Sequence, residues 1–256
     1  MVLKTSFIVI NSKYREISSN STSDFTYSLG EVLQVKAIAI KTISIPNVVY
    51  NVNVNNNILK LEYNANPGIF PAQITVPIGQ YTIDSLITAI EPLLSTAIVG
   101  TVTIAQLPLV SKLQITTSKP VSFIAGTDSP FARVLGITKT TSFSLDTIAE
   151  GVFQLQGIDN FFVISQDLAD GANAILTNGQ KRGIVIDVPN TVNFGETNYY
   201  QNKEYRVNQK IYDGRALNLQ YINIKIVDSD LNVVDLQGMD IELILLIYES
   251  EESMPV

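Results

Sequence analysis

Histidine, cysteine and tryptophan are absent from this chain of 256 residues. Without histidine no Ser-His-Asp or Cys-His arrangement can be built. Without cysteine there is no thiolate nucleophile, disulfide framework or Cys/His zinc site, so any metal site would need oxygen ligands alone. Charge is scarce as well: 16% of residues are Asp, Glu, Lys or Arg, against about 25% in an ordinary soluble domain. The 17 basic residues never cluster beyond the pair Lys181 and Arg182, and the net charge is −7. A groove that tracks a phosphate backbone needs concentrated positive charge, so direct nucleic-acid binding is disfavoured. No apolar run approaches the roughly 18 residues of a transmembrane segment. The apolar stretch Ser6 to Ile10 is too short for a secretory signal and is ended by Asn11 and Lys13. Synthesis is therefore expected in a reducing cytosol, where the sequon at Asn20 is a chance match.

What is present is apolar and β-branched. Hydrophobic residues make up 46% of the chain, and the mean hydropathy is +0.21. Two readings stay open, a β-rich core full of Ile and Val or a surface that is buried against other subunits. Short β-branched and aromatic segments separated by turn signals point to an all-β sandwich or barrel. The expected strands are Ser6–Ile10, Phe25–Leu29 and Val35–Ile45, then Phe161–Gln166, Gly183–Val188, Leu217–Val227 and Ile241–Tyr248. Asn178-Gly179 and Asp213-Gly214 supply turn residues that tolerate positive φ. Leu217–Val227 and Val233–Leu236, joined through Asp228 to Asn232, read as a hairpin. Ile241–Tyr248 is almost continuously apolar and is expected to be a central strand covered on both faces.

The character changes between the polar run Asn53–Asn57 and Thr140–Ser144. This stretch reads as an inserted α+β module with strands Ile58–Tyr63, Gln73–Pro77, Val99–Ala105 and Lys112–Thr117. Its helix has Thr82 as N-cap and Asp84 in the first turn. Ile83, Leu86, Ile87, Ile90, Leu93 and Leu94 form one apolar stripe. Pro92 should kink or stop the helix near Ile90 and Glu91, because it removes a donor and crowds the preceding turn. A second, short helix is marked by Ser129 as cap, Pro130 at its first position and Gly136 beyond its end. The expected division is therefore a discontinuous main domain, residues 1–57 and 141–256, and an insert, residues 58–140.

No stretch supplies a catalytic, cofactor or metal site. Asp228, Asp230 and Asn232 have the first spacings of an oxygen-ligated calcium loop. Val233 stands where the loop needs Gly, and Met239 where it needs Glu, so a hairpin turn is the preferred reading. Asp159, Asp167 and Asp187 could serve a glycosidase only if two of them converged across a cleft. Solvated loop acids are the preferred reading. Gly171–Arg182 lacks phosphate-loop spacing and precedes a strand, not a helix. The doublets Phe161-Phe162 and Tyr199-Tyr200 place one ring in and one out of a sheet, and the outward ring suits an interface.

Three stretches taken in order resemble the penton proteins of virophages and polinton-like viruses. They are Val9–Leu29 with Ile40–Val52, then Ile74–Ile90 with Lys112–Ile137, and last Leu217–Glu249, which is similar to the end of a capsid jelly roll. The resemblance implies an all-β fold, a single jelly-roll β-sandwich of eight strands with a small α+β insertion domain. It implies a structural minor capsid protein, not an enzyme, forming homopentamers at the five-fold vertices of a virion among trimers of a double jelly-roll major capsid protein. Contact with a host receptor would fall to the insert. The family offers no catalytic residues, metal or cofactor. The alternative is a receptor- or carbohydrate-binding β-sandwich head of the spike or fibre kind, and a glycosidase ranks third.

Overall fold

The computed structural model describes residues 3–168, 174–177, 180–202, 210–211 and 217–250. In chain order its strands are β1 Leu3–Asn11, β2 Asp24–Pro46, β3 Ile58–Ala65, β4 Gly68–Thr75, β5 Val102–Leu107, β6 Lys112–Phe123, β7 Ser144–Ile148, β8 Asn160–Ile164, β9 Ala174–Thr177, β10 Gln180–Gly183, β11 Ile186–Pro189, β12 Thr197–Gln201, β13 Lys210–Ile211, β14 Leu217–Val227 and β15 Glu242–Ser250. Two helices, α1 Ile83–Ala97 and α2 Phe131–Val134, lie between β4 and β7. The chain divides into two compact units, Met1–Val49 with Ile158–Val256, and Tyr50–Gly157. It is an all-β jelly-roll sandwich carrying a small α+β insertion.

The first unit is organised by β2. Its strands run in the order β1-β15-β2-β14-β8-β11, with β12 and β13 also paired to β2. The sequence marks two strands, Phe25–Leu29 and Val35–Ile45, but the chain makes one of 23 residues. The break the sequence shows is real at one point, since Gly30 has φ of 78°, a conformation that glycine adopts without steric penalty. There the register against β14 also slips, between Leu219 and Tyr221. Before the slip β2 pairs with β14, and after it mainly with β15. The curled sheet thus encloses one core, to which β2 supplies Phe25 from one half and Ile38, Ile40 and Ile43 from the other, facing Ile222, Ile224, Leu243 and Leu245. β15 is central, between β1 and β2, but it is not fully covered on both faces, since Glu242 is exposed and Ile244 half-buried. The expected hairpin through Asp228–Asn232 is present only at its turn end: Val233 bridges Val227 antiparallel, with the Asp228 N–H donating to the Asn232 carbonyl at 3.0 Å and the Val234 N–H to the Ile226 carbonyl at 3.1 Å, while Leu236 is buried in the core.

The second unit has its own core. β4-β3-β6-β5 form an antiparallel sheet, with β7 on β6. The N-cap of α1 is Thr82, whose hydroxyl accepts the Ser85 N–H at 3.3 Å while Ser85 Oγ accepts the Thr82 N–H at 2.9 Å. Leu86, Ile90 and Leu94 are buried. The helix does not stop at Pro92. It continues to Ala97, and Leu94 and Ile98 beyond the proline are both buried in the core. An interior proline costs about 3 kcal/mol, and burying two large aliphatic side chains returns about 1.5–3 kcal/mol each, so packing decides. Ser129 is not the cap of α2 either. Pro130 occupies that position, and the Ser129 hydroxyl accepts the Lys60 N–H of β3 at 2.9 Å.

The borders of this unit also lie outside residues 58–140. The polar flanks fold back onto it. Val52 is buried in its core and bridges Gly79, β7 pairs with β6, and the Ala149, Gly151 and Gln154 N–H groups donate to Leu113, Gly136 and Val134. A run of Asn or Ser/Thr reads as a linker by composition, yet short polar side chains are also the ones that close turns against neighbouring backbone.

Candidate functional site

The acids singled out by sequence are held apart. Asp159 sits opposite Asn190, whose N–H donates to its carbonyl at 2.7 Å, and Asp187 sits opposite Phe162. That is three steps along the ladder, about 10 Å at 3.3 Å per residue, and an odd number of steps places side chains on opposite faces. Asp167 lies beyond the far end of β8, where its carboxylate accepts the Asn223 N–H at 3.0 Å. Asp228 is occupied by its own turn. One oxygen accepts the N–H groups of Asp230 and Asn232, both at 2.9 Å, and the other accepts Asn232 Nδ2 at 3.2 Å. Among the described residues no three His, Cys, Asp or Glu come together as a metal-holding group, and no helix is long and apolar enough to cross a membrane. Within Gly171–Arg182, the described parts pair as β9 and β10. Asn178, Gly179, Asp213 and Gly214 lie outside the described residues.

The aromatic doublets divide across their sheets. Phe161 is buried and Phe162 half-buried, while Tyr200 packs on the core and Tyr199 is 66% exposed. Tyr199 belongs to a larger surface. On the face of β1, β15, β2 and β12 that carries Tyr199, Val9 aligns with Ile244, Thr42 and Gln201, and Phe7 with Leu246 and Ala39; Thr42, Leu246 and Ala39 are buried, so the exposed apolar side chains are those of the flanking strands β1 and β12. Phe7 is 57% and Val9 53% exposed, and Lys41 Nζ lies 4.2 Å from the centre of the Phe7 ring, a cation-π contact. A sheet with only one covered face shows polar residues on the other. Here β1 reads Phe-Ile-Val-Ile across both faces, and that unbroken apolar run was the available sequence signal for this surface.

No protein-family model matches the sequence, and neither does any curated protein. The fold does find a likeness. The crystal structure of the selenomethionine-labelled mavirus penton protein superposes with a TM-score of 0.51, at 11% sequence identity, covering 96% of this chain and 99% of that one. The chain shares the fold of that protein. The likeness is one of architecture, because so few residues are shared. The shared fold nevertheless extends through both units, since the unmatched 4% of the chain is far smaller than the Tyr50–Gly157 insert.

Proposed function

We propose that the protein is a structural minor capsid protein, a homopentameric penton at the five-fold vertices of an icosahedral virion, set among trimers of a double jelly-roll major capsid protein. The observation that carries this reading is the end-to-end likeness to the mavirus penton protein, insert included. A jelly roll alone hosts many functions; a jelly roll with a matching insertion along the whole chain narrows the choice. Low charge and the exposed Phe7, Val9 and Tyr199 are consistent with a surface that meets other subunits. The role is mechanical: closing the vertex and setting curvature, with host contact assigned to the insert and no catalysis.

The test is the mass and symmetry of the purified full chain. Five-fold class averages, with a mass five times the 28.1 kDa of one chain, are expected. A trimer would instead favour a receptor- or carbohydrate-binding head.

A further inference from the structure

We propose that the free edge of β1 is a strand-addition site, occupied by an extended segment of a second copy of this chain; that choice of occupant rests on the self-assembly reading above. Among the described residues β1 is the terminal strand of its sheet. It pairs with β15 from Leu3↔Ser250 to Asn11↔Glu242 without a slip. The Ser12 N–H donates to the Ile241 carbonyl at 3.0 Å in the same register, which makes this a hydrogen-bonded pair. Such pairs alternate along an antiparallel ladder. Ile10, Ile8 and Ser6 therefore direct their backbone groups at β15, while Thr5, Phe7, Val9 and Asn11 direct theirs outward. The result is a row of donors and acceptors spaced about 6.8 Å apart, the spacing that another extended backbone complements.

Edges of this kind are normally blunted by proline, charge, bulges or brevity. At the other end of the sheet β11 is four residues long, ends in Pro189 and exposes Asp187. In the insert, edge strand β4 contains Pro71. β1 has nine residues and no proline, and from Thr5 to Asn11 it carries no charge.

Two features select a second copy. The chain carries a net charge of −7, yet the middle of this strand has the Lys41 cation laid over Phe7; the Glu249 carboxylate is engaged by the Ser6 hydroxyl at 2.7 Å, and the exposed Glu242 lies at the strand's far end, opposite Asn11. An acidic copy approaching the edge meets a cation. Size is the second feature: a nine-residue strand is about 30 Å long, and pairing along it buries less than the roughly 1,200–2,000 Å² of a stable free-standing complex. Such a contact suits a closed ring, in which each copy is held by two neighbours.

Native mass of the full chain should be compared for wild type, Thr5→Pro and the double variant Phe7→Glu, Val9→Glu. Proline at Thr5 removes an outward N–H and leaves the β15 ladder whole, as edge positions allow. The glutamate pair blunts the edge and repels an acidic copy without touching the backbone. The expected result is a folded Thr5→Pro protein whose mass falls from the oligomer to the monomer. A folded Thr5→Pro protein of wild-type mass overturns the proposal and leaves the penton reading standing. A wild-type oligomer that is not five-fold but falls apart on Thr5→Pro does the reverse, and a monomeric wild type overturns the second copy as occupant. If Thr5→Pro does not fold, the glutamate pair decides by the same masses.

Discussion

Asn51 and Leu155 stand at opposite ends of the insert's sequence, and the Asn51 side chain joins them, with Nδ2 donating to the Leu155 carbonyl at 3.1 Å. The same amide is paired with Tyr81, donating to its carbonyl at 2.8 Å and accepting its N–H at 2.9 Å. Asn51 is buried, so these bonds close the unit where water does not compete.

Asn51→Ala should therefore lower the stability of the insert by about 2–4 kcal/mol, since each buried partner left without a bond costs about 1–3 kcal/mol. Asn51→Asp should not rescue it, because the carboxylate keeps the acceptor but loses both donors. Urea denaturation checks this, and a midpoint within error of wild type for both variants would contradict it.

The residue just after each helix offers a paired test. Gly136 follows α2 with φ of 79°, and a Cβ there would lie 2.4 Å from the Gly151 carbonyl oxygen. Gly136→Ala should cost well over 1 kcal/mol, more than Gly30→Ala, where φ is also positive but nothing lies within 4 Å. The equivalent place after α1 holds Val99, exposed and at φ of 50°, which a β-branched side chain resists. Val99→Gly should raise stability by up to about 1 kcal/mol, read as an increase in Tm.

The Asp228 turn should be indifferent to calcium. Its carboxylate already accepts three local donors, so melting curves in calcium and in chelator are expected to superpose. A true site at 100 times its Kd would add about 2.7 kcal/mol, an easily seen shift. Asp228→Ala should cost about 1 kcal/mol from the lost turn bonds.

Replacing Tyr50–Gly157 with a short Gly/Ser linker should leave a folded jelly roll, because the two cores share no residue and closing a loop costs little entropy. Circular dichroism should lose its helical signal, since α1 and α2 both leave with the insert. Removing only 58–140 should fail, as it strands Ala149, Phe153 and Leu155 without the core they pack in. The opposite ranking of the two deletions would show that the 158 border is misplaced.

Local chemistry was legible wherever one residue decides it. Thr82 as the cap of α1, Gly136 after α2 and Asp228 in a turn each depend on backbone geometry within a few residues. The apolar stripe of α1 likewise follows from its period. Ser129 shows the limit: the same hydroxyl can cap a helix or bond a strand 69 residues away, and only the fold puts Lys60 within 2.9 Å of it.

By itself the sequence determined the chemical repertoire and the fold class. Absent side chains exclude reactions outright, and alternation with turn signals is a property of the chain alone. Tertiary structure decided what depends on distant partners. It joined two strands into β2, carried α1 through Pro92 to bury Leu94, and drew the flanks around Asn51 and Ala149 into the insert. It also left β1 at the edge of its sheet with Phe7 and Val9 uncovered. Burial and pairing across tens of residues outweigh local propensities of about 1–3 kcal/mol, and one stretch of sequence does not state which partners it will meet.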